Sequence, residues 1–247
     1  MHTKSEKHLY LIIPAAGQSR RMGNGINKLL TPIAGISVFA RTLLLFEKYG
    51  KKENFHLHGL IICSPDCEVD FQKQIDIHQI SFVEAFINGG ATRQESVAEG
   101  IRKLFFLKRP PEDTDIVFIH DGARCLTDAA TLHSCYETAN EHGICAAAVP
   151  VKDTIKETAS PDSRIAKKTP DRRLLYAIQT PQAFTWYYLQ QTFQYAQQHK
   201  IEGTDDTSLA EAAGFSVHLA DGAYTNIKIT TKEDFAIAEA IISRELQ

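Results

Sequence analysis

The first residues able to do chemistry follow the first apolar run: Pro14-Ala15-Ala16-Gly17-Gln18-Ser19-Arg20-Arg21-Met22-Gly23, then Asn27-Lys28-Leu29. Small residues let a backbone approach a ligand closely, and N–H groups exposed in such a loop can cradle phosphate oxygens. Arg20, Arg21 and Lys28 add the cations that a triphosphate needs. Two familiar phosphate loops are excluded by inspection, because there is no GxxxxGK[ST] and Gly17-Gln18-Ser19 breaks GxGxxG. The plain alternative is a solvated loop with surface arginines. Three cations and two glycines behind a buried strand favour the anion site.

Other segments offer weaker signals. Gly89-Gly90 with Arg93 and Ser96 can bring backbone groups to a ligand, but Thr92 and Glu95 form a capping box, so the segment is also a plain strand-to-helix turn. Asp121 follows a buried strand and can bind a hydroxyl or a metal-bound water, or simply cap the next helix. Arg124 can clamp a phosphate or carboxylate. Cys125 reads as a small packing residue, with a reactive thiol as the other reading. His120 reads as a hydrogen-bonded core histidine. No HxxxH or HExxH spacing points to zinc.

The elements that must position these residues alternate between strand and helix. Strands are expected over 9–13, 59–64, 80–87, 115–120, 144–150, 176–179 and 215–219, and helices over 37–48, 65–78, 92–107, 129–142, 185–199, 204–213 and 232–246. That rhythm predicts an α/β fold with a doubly wound, mostly parallel sheet, whose ligands gather outside the carboxyl ends of the strands. It breaks over 151–175, which is polar and lacks a helical stripe. There Thr154-Ile155-Lys156 and Arg164-Ile165-Ala166 can alternate as thin strands of an exposed hairpin arm; a long disordered loop is the alternative.

Composition bounds the rest. The 247 residues, 43% hydrophobic and 23% charged, suffice for one large α/β domain spanning 1–247. A net charge of −3 gives no reason to expect nucleic-acid binding. The five cysteines show no CxxC pairing and read as reduced. The run Leu9–Ile13 is too short for a signal or a membrane span, so a cytoplasmic protein without membrane contact is expected.

At the first loop the sequence becomes specific. PAAGxSRRMG with a following lysine resembles the fingerprint of the 2-C-methyl-D-erythritol 4-phosphate cytidylyltransferases of the non-mevalonate isoprenoid pathway. Later segments agree in order: Gly89-Gly90-x-x-Arg93-x-x-Ser96, His120-Asp121-Gly122-Ala123-Arg124, Pro150-Val151-Lys152-Asp153-Thr154, Gln179-Thr180-Pro181-Gln182, Gly203-Thr204-Asp205-Asp206 and Thr225-Asn226-Ile227-Lys228. Cys125 departs from the pattern, which usually has proline there. The resemblance implies a Rossmann-like nucleotidyltransferase fold in which an acceptor phosphate attacks the α-phosphorus of CTP. It implies catalytic roles for Arg21, Lys28, Arg172 and Lys228, with CTP held by Pro14, Ala15, Ala16, Gly17, Gly89, Gly90, Arg93, Ser96, Asp121 and Gly122. The polyol phosphate acceptor would meet Asp121, Arg124, Thr154, Thr180 and Thr204. Mg²⁺ would bind mainly through CTP phosphates rather than protein ligands. The arm, 151–175, would embrace a second copy, so a homodimer with Thr154 and Arg172 acting in trans is expected.

Two rival readings are weighed. Ribitol 5-phosphate cytidylyltransferases of wall teichoic acid synthesis share the chemistry, but tend to open with a leucine-alanine-glycine-glycine loop, and Pro14-Ala15-Ala16-Gly17 leans away from them. A non-catalytic nucleotide-binding protein of the same fold has no reason to keep Arg21, Lys28, Arg172 and Lys228 together.

Overall fold

The computed structural model describes residues 6–16 and 27–245. In chain order the elements are β1 (Lys7–Pro14), β2 (Pro32–Ile33), β3 (Ile36–Ser37), α1 (Val38–Glu53), β4 (Phe55–Cys63), α2 (Pro65–Ile77), β5 (Val83–Asn88), α3 (Arg93–Leu104) and β6 (Ile116–Ile119). There follow α4 (Ala129–His142), β7 (Ile144–Pro150), β8 (Glu157–Thr158), β9 (Ala166–Lys168), β10 (Tyr176–Thr185), α5 (Trp186–His199), α6 (Asp206–Ala212), β11 (His218–Asp221) and α7 (Lys232–Glu245).

The main sheet has seven strands in the order β11-β7-β10-β6-β1-β4-β5. All its pairings are parallel except those of β10, which runs antiparallel to both β6 and β7. A strand covered on both faces must be apolar throughout, and Leu9 to Ile13 of β1 are fully buried. Their side chains alternate as the pleat requires. Leu9, Leu11 and Ile13 pack with Phe39, Phe46 and Phe71 from α1 and α2 and with Leu132 of α4, whereas Tyr10 and Ile12 pack with Val97 and Ile101 of α3 and Leu189 of α5. The sheet thus lies between two helical layers.

Beyond β1 the chain proceeds to β4 and β5 on one side, while β6 lies on the other. The carboxyl ends of β1 and β6 therefore flank a switch in strand order, where loops diverge and leave a crevice. Thr42 of α1 reaches into this edge, its hydroxyl 3.0 Å from Gly122 O.

Several expected boundaries move. β4 starts at Phe55 rather than 59, because its polar first half pairs with Lys7–Tyr10 of β1 and carries no apolar run. The strand expected over 176–179 runs ten residues to Thr185, bulging between Ile178 and Gln182. Its second half reads as a helix approach in sequence, and only pairing with β6 and β7 makes it a strand. The last strand lies at His218–Asp221, later than 215–219. Within the arm, Glu157 pairs with Lys168 and Thr158 with Ala166, so a hairpin is present but displaced from the Thr154–Lys156 and Arg164–Ala166 pairing that alternation suggested. Among the described residues, no helix is long and apolar enough to cross a membrane.

Candidate active site

A cleft of about 690 Å³ opens at the switch point, lined by Pro14, Ala15, Ala16, Lys28, Gly90, Arg93, Ser96, Asp121, Gly122 and Lys228 among others. Its size suits a nucleotide-sized ligand (roughly 300–1,000 Å³). Gly17, Arg20 and Arg21 lie outside the described residues. Ala15 remains tied to the sheet through its N–H, which donates to Ile62 O at 2.7 Å, and Gly122 donates to Pro14 O at 3.2 Å. The first bond ties the β1 loop to β4, and the second holds the β1 and β6 loops side by side. A Cβ at position 122 would stand 3.3 Å from Pro14 O, so the close approach favours glycine.

The glycine turn forms the next wall. A Cβ at Gly89 would fall 2.9 Å from Ser96 Oγ and 3.0 Å from Ala16 Cβ, and one at Gly90 would fall 2.4 Å from Glu95 Cβ. The Thr92–Glu95 capping box is present, and the Glu95 carboxylate also accepts from Ala91 N–H at 2.7 Å. Ser96 Oγ donates to Thr92 O at 2.8 Å and accepts from Gly90 N–H at 3.0 Å, so this hydroxyl shapes the turn.

Arg93 crosses the cleft. Its guanidinium makes a two-pronged pair with Asp206, at 2.9 and 2.6 Å, and its Nε lies 3.6 Å from Asp121. Burial disfavours the charge on Arg93, but Asp206 outweighs it and raises the affinity for the proton. Asp206 sits at the first turn of α6, which is held by Gln182: Gln182 Oε1 accepts from the N–H groups of Asp206 and Thr207, and its Nε2 donates to Asp205.

Asp121 collects the remaining charges. Lys228 Nζ lies 2.8 Å from one carboxylate oxygen, and Arg124 Nε lies 3.8 Å away. Burial alone would raise its pKa; Lys228 and Arg93, with Arg124, overcome burial and hold it at about 2. One ionised carboxylate is therefore surrounded by three cations, one of which, Arg93, is also paired with Asp206. An incoming phosphate finds cations whose present counter-ion it can replace.

A match to the family model described as 2-C-methyl-D-erythritol 4-phosphate cytidylyltransferase runs over residues 9–244, from β1 to α7. The chain belongs to the 2-C-methyl-D-erythritol 4-phosphate cytidylyltransferase family. It is 40% identical to the enzyme of that name from Synechococcus elongatus over 236 residues, covering 96% of this chain and 97% of the relative. Among solved structures, 4-diphosphocytidyl-2C-methyl-D-erythritol synthase from Anaerococcus prevotii superposes with a TM-score of 0.80 at 26% identity, over 96% of this chain and 99% of the other. The cytidylyltransferase from Thermus thermophilus gives a TM-score of 0.73 at 28% identity with the same coverages.

Other residues expected to serve a cytidylyltransferase site stand apart from this cleft. Thr180 is buried beneath it: its hydroxyl accepts from Asp121 N–H at 3.0 Å and lies 3.2 Å from His120 Nδ1. His120 Nε2 faces Arg124 O at 3.1 Å, so Nε2 carries the proton and Nδ1 accepts from Thr180. Burial lowers the His120 pKa to about 4, which keeps the imidazole neutral in this relay. Cys125 is buried in the core, and burial pushes its thiol up to about 11, the behaviour of packing rather than of a nucleophile. Thr204 is exposed in the loop before α6, while Thr154 and Arg172 are exposed on the arm. Arg172 donates to Lys152 O at 2.8 Å. Sequence reasoning missed Asp206 and Gln182, whose neighbours drew the assignments; the signal was a second acidic residue opening a short helix.

Proposed function

We propose that this chain transfers the cytidylyl group of CTP to 2-C-methyl-D-erythritol 4-phosphate and releases pyrophosphate, a step of isoprenoid precursor biosynthesis. The observation that carries the reading is the meeting of Arg93 and Lys228 around Asp121, with Lys28 lining the same cleft at the carboxyl edge of β1 and β6. The acceptor phosphate is already an anion, so attack on the α-phosphorus needs no general base. The barrier lies in bringing anions together and in the charge that develops on phosphoryl oxygens, and fixed cations lower both.

Under this reading Lys28 and Arg21 stabilise the pentacoordinate phosphorus and the departing pyrophosphate. Lys228 holds the acceptor phosphate, leaving Asp121 as it does so. The wall of Gly89, Gly90, Arg93 and Ser96 takes the cytosine, and Ala15, Ala16 and Gly122 admit the sugar and phosphates closely. Asp121, and Arg124 behind it, meet ribose or acceptor hydroxyls, and Thr204 and Thr180 frame the acceptor side, Thr180 through Asp121.

Asp121 carries the one carboxylate among the described residues lining the cleft, and no group of three or more His, Cys, Asp or Glu side chains among the described residues is arranged to hold a metal. That donor set suits Mg²⁺, which takes one or two carboxylates with substrate phosphates and keeps several waters. When bound to CTP it would neutralise charge on the triphosphate oxygens.

The arm supports a dimer. Ile165 is 79% and Leu174 80% exposed, although both are large and apolar, and Tyr176 is half exposed. A second copy that covers them would receive Thr154 and Arg172 at its own cleft, where Arg172 and Lys228 would clamp one acceptor phosphate. The free, mostly buried cysteines suit a reducing, cytoplasmic setting. Pyrophosphate release with CTP and methylerythritol, ribitol or erythritol phosphate tests the reading. Methylerythritol phosphate is expected to be preferred; preference for ribitol phosphate would overturn the acceptor, and no turnover with any of them would overturn catalysis.

A further inference from the structure

Lys228 sits on an irregular loop between β11 and α7, where no regular ladder holds the backbone. Yet its ammonium must meet Asp121 on a loop 107 positions earlier. One backbone bond, from Ile229 N–H to Ala123 O at 2.9 Å, ties the two loops directly, and the wider joint is Asn226, which is fully buried with every polar group engaged. Its Nδ2 donates to Gln179 Oε1 at 3.1 Å and to Thr180 O at 3.0 Å, both on β10. Its Oδ1 accepts from Thr127 Oγ1 at 2.7 Å, and its carbonyl accepts from Arg124 Nη1 at 2.6 Å. Its own N–H donates to Ala223 O at 3.0 Å. Gln179 closes the same ring by donating to Ala223 O and accepting from Ala223 N–H.

We infer that Asn226 is a positioning residue that sets Lys228 and Arg124 against Asp121, and so fixes where the acceptor phosphate is held. Three segments meet at this one amide: the 226–228 loop carrying Lys228, the 121–127 loop carrying Asp121 and Arg124, and the start of β10 carrying Thr180, whose hydroxyl holds Asp121 N–H. The choice of an amide follows from its partners. Gln179 Oε1 and Thr180 O both need donors, while Thr127 Oγ1 offers one, and only a side chain with an NH₂ and an acceptor oxygen matches that set in so small a space. Aspartate has the same shape but turns its donors into acceptors that face two other oxygens. The inference rests on the cytidylyl-transfer reading, because it acts through Lys228 and Arg124.

The test uses the full chain as a dimer or monomer as it occurs. Asn226→Asp and Thr127→Val, which removes one bond from the opposite side, are compared with wild type by steady-state kinetics with CTP and methylerythritol phosphate, below the melting temperature of each variant. Loss of buried hydrogen bonds of this kind is expected to lower kcat/KM for the acceptor about 10- to 100-fold in Asn226→Asp and less in Thr127→Val, with KM for CTP within about threefold of wild type. A merely structural role would lower the melting temperature and leave both kinetic constants of the folded enzyme unchanged, and that result would overturn the inference. An equal loss for CTP and acceptor would also overturn it. If Asn226→Asp does not fold, Thr127→Val alone decides by the same split. Wild-type turnover is the control: its absence refutes the transfer reading, whereas wild-type turnover with unaltered variants refutes only the role of Asn226.

Discussion

Asp121→Asn offers the sharpest physical perturbation of the cleft, because it removes one charge and almost no volume. The pKa of this carboxyl falls from an ordinary 3.8 to about 2, with burial opposing the fall and Lys228, Arg93 and Arg124 driving it. The shift is thus already net of desolvation, and the side chain is only 11% exposed, so screening by solvent is slight. At roughly 1.4 kcal/mol per pKa unit, ionised Asp121 contributes on the order of 2–3 kcal/mol to folding. Because the folded pKa is depressed, that contribution is present in full above about pH 4 and fades as pH falls toward about 2. Asparagine mimics the protonated acid, so the variant should lose about 2–3 kcal/mol at pH 7, or about 5–10 °C in melting temperature for a chain of this size. Urea or thermal unfolding of both proteins between pH 7 and pH 2.5 checks this. The gap between them should narrow below pH 4; a gap that stays constant with pH, or no gap at pH 7, would refute the charge balance drawn for the cleft.

Other outcomes follow from the same geometry. Lys28→Ala should lower turnover by several orders of magnitude while folding and part of CTP binding persist, and near-wild-type kcat would remove Lys28 from the transition state. Mixing inactive Arg21→Ala with inactive Arg172→Ala subunits should restore some activity if each site borrows an arm, and verified heterodimers without recovery would refute sharing in trans. Asp206→Asn should leave the Arg93 guanidinium with only its longer contact to Asp121, 3.6 Å away, so the cost should fall below the roughly 3–5 kcal/mol of a buried charge left unpaired yet exceed about 1 kcal/mol; a smaller shift in unfolding would show that Asp121 replaces Asp206 fully. His120 has a lowered pKa, so its neutral form stabilises the fold fully above about pH 6.5, and that contribution should disappear as pH falls toward about 4. His120→Gln should flatten this part of the stability profile.

The sheet was legible where burial leaves a plain mark. Leu9–Ile13, Ile116–Ile119 and Ile144–Val149 are apolar because helices cover both faces, and a short apolar run between turn signals says so. The second half of β10 was not legible: Pro181 and Gln182 carry no strand signature, and the antiparallel pairing with β6 and β7 comes from elsewhere in the chain. In the cleft, Lys28, Gly90, Arg93 and Asp121 could be named from residue type in the loops that follow strands, and Lys228 only through the family resemblance. Their mutual geometry could not. That Asp206 balances Arg93 across 113 positions, or that Thr180 spends its hydroxyl on Asp121 and His120, depends on packing between distant loops. Thr180 and Ser96 show the recurrent difficulty: a small hydroxyl in a site motif serves the loop or the ligand, and sequence cannot tell which.

The most direct measurement follows the oxygen that makes the new bond. With ¹⁸O in every oxygen of the acceptor phosphate, ³¹P NMR and mass spectrometry of the products should find all of the label in a diphosphate-bridged cytidylyl product and none in pyrophosphate, because the acceptor's own oxygen attacks the α-phosphorus of CTP. Label in the released pyrophosphate, or CMP formed with solvent oxygen and no bridged product, would contradict transfer at this site.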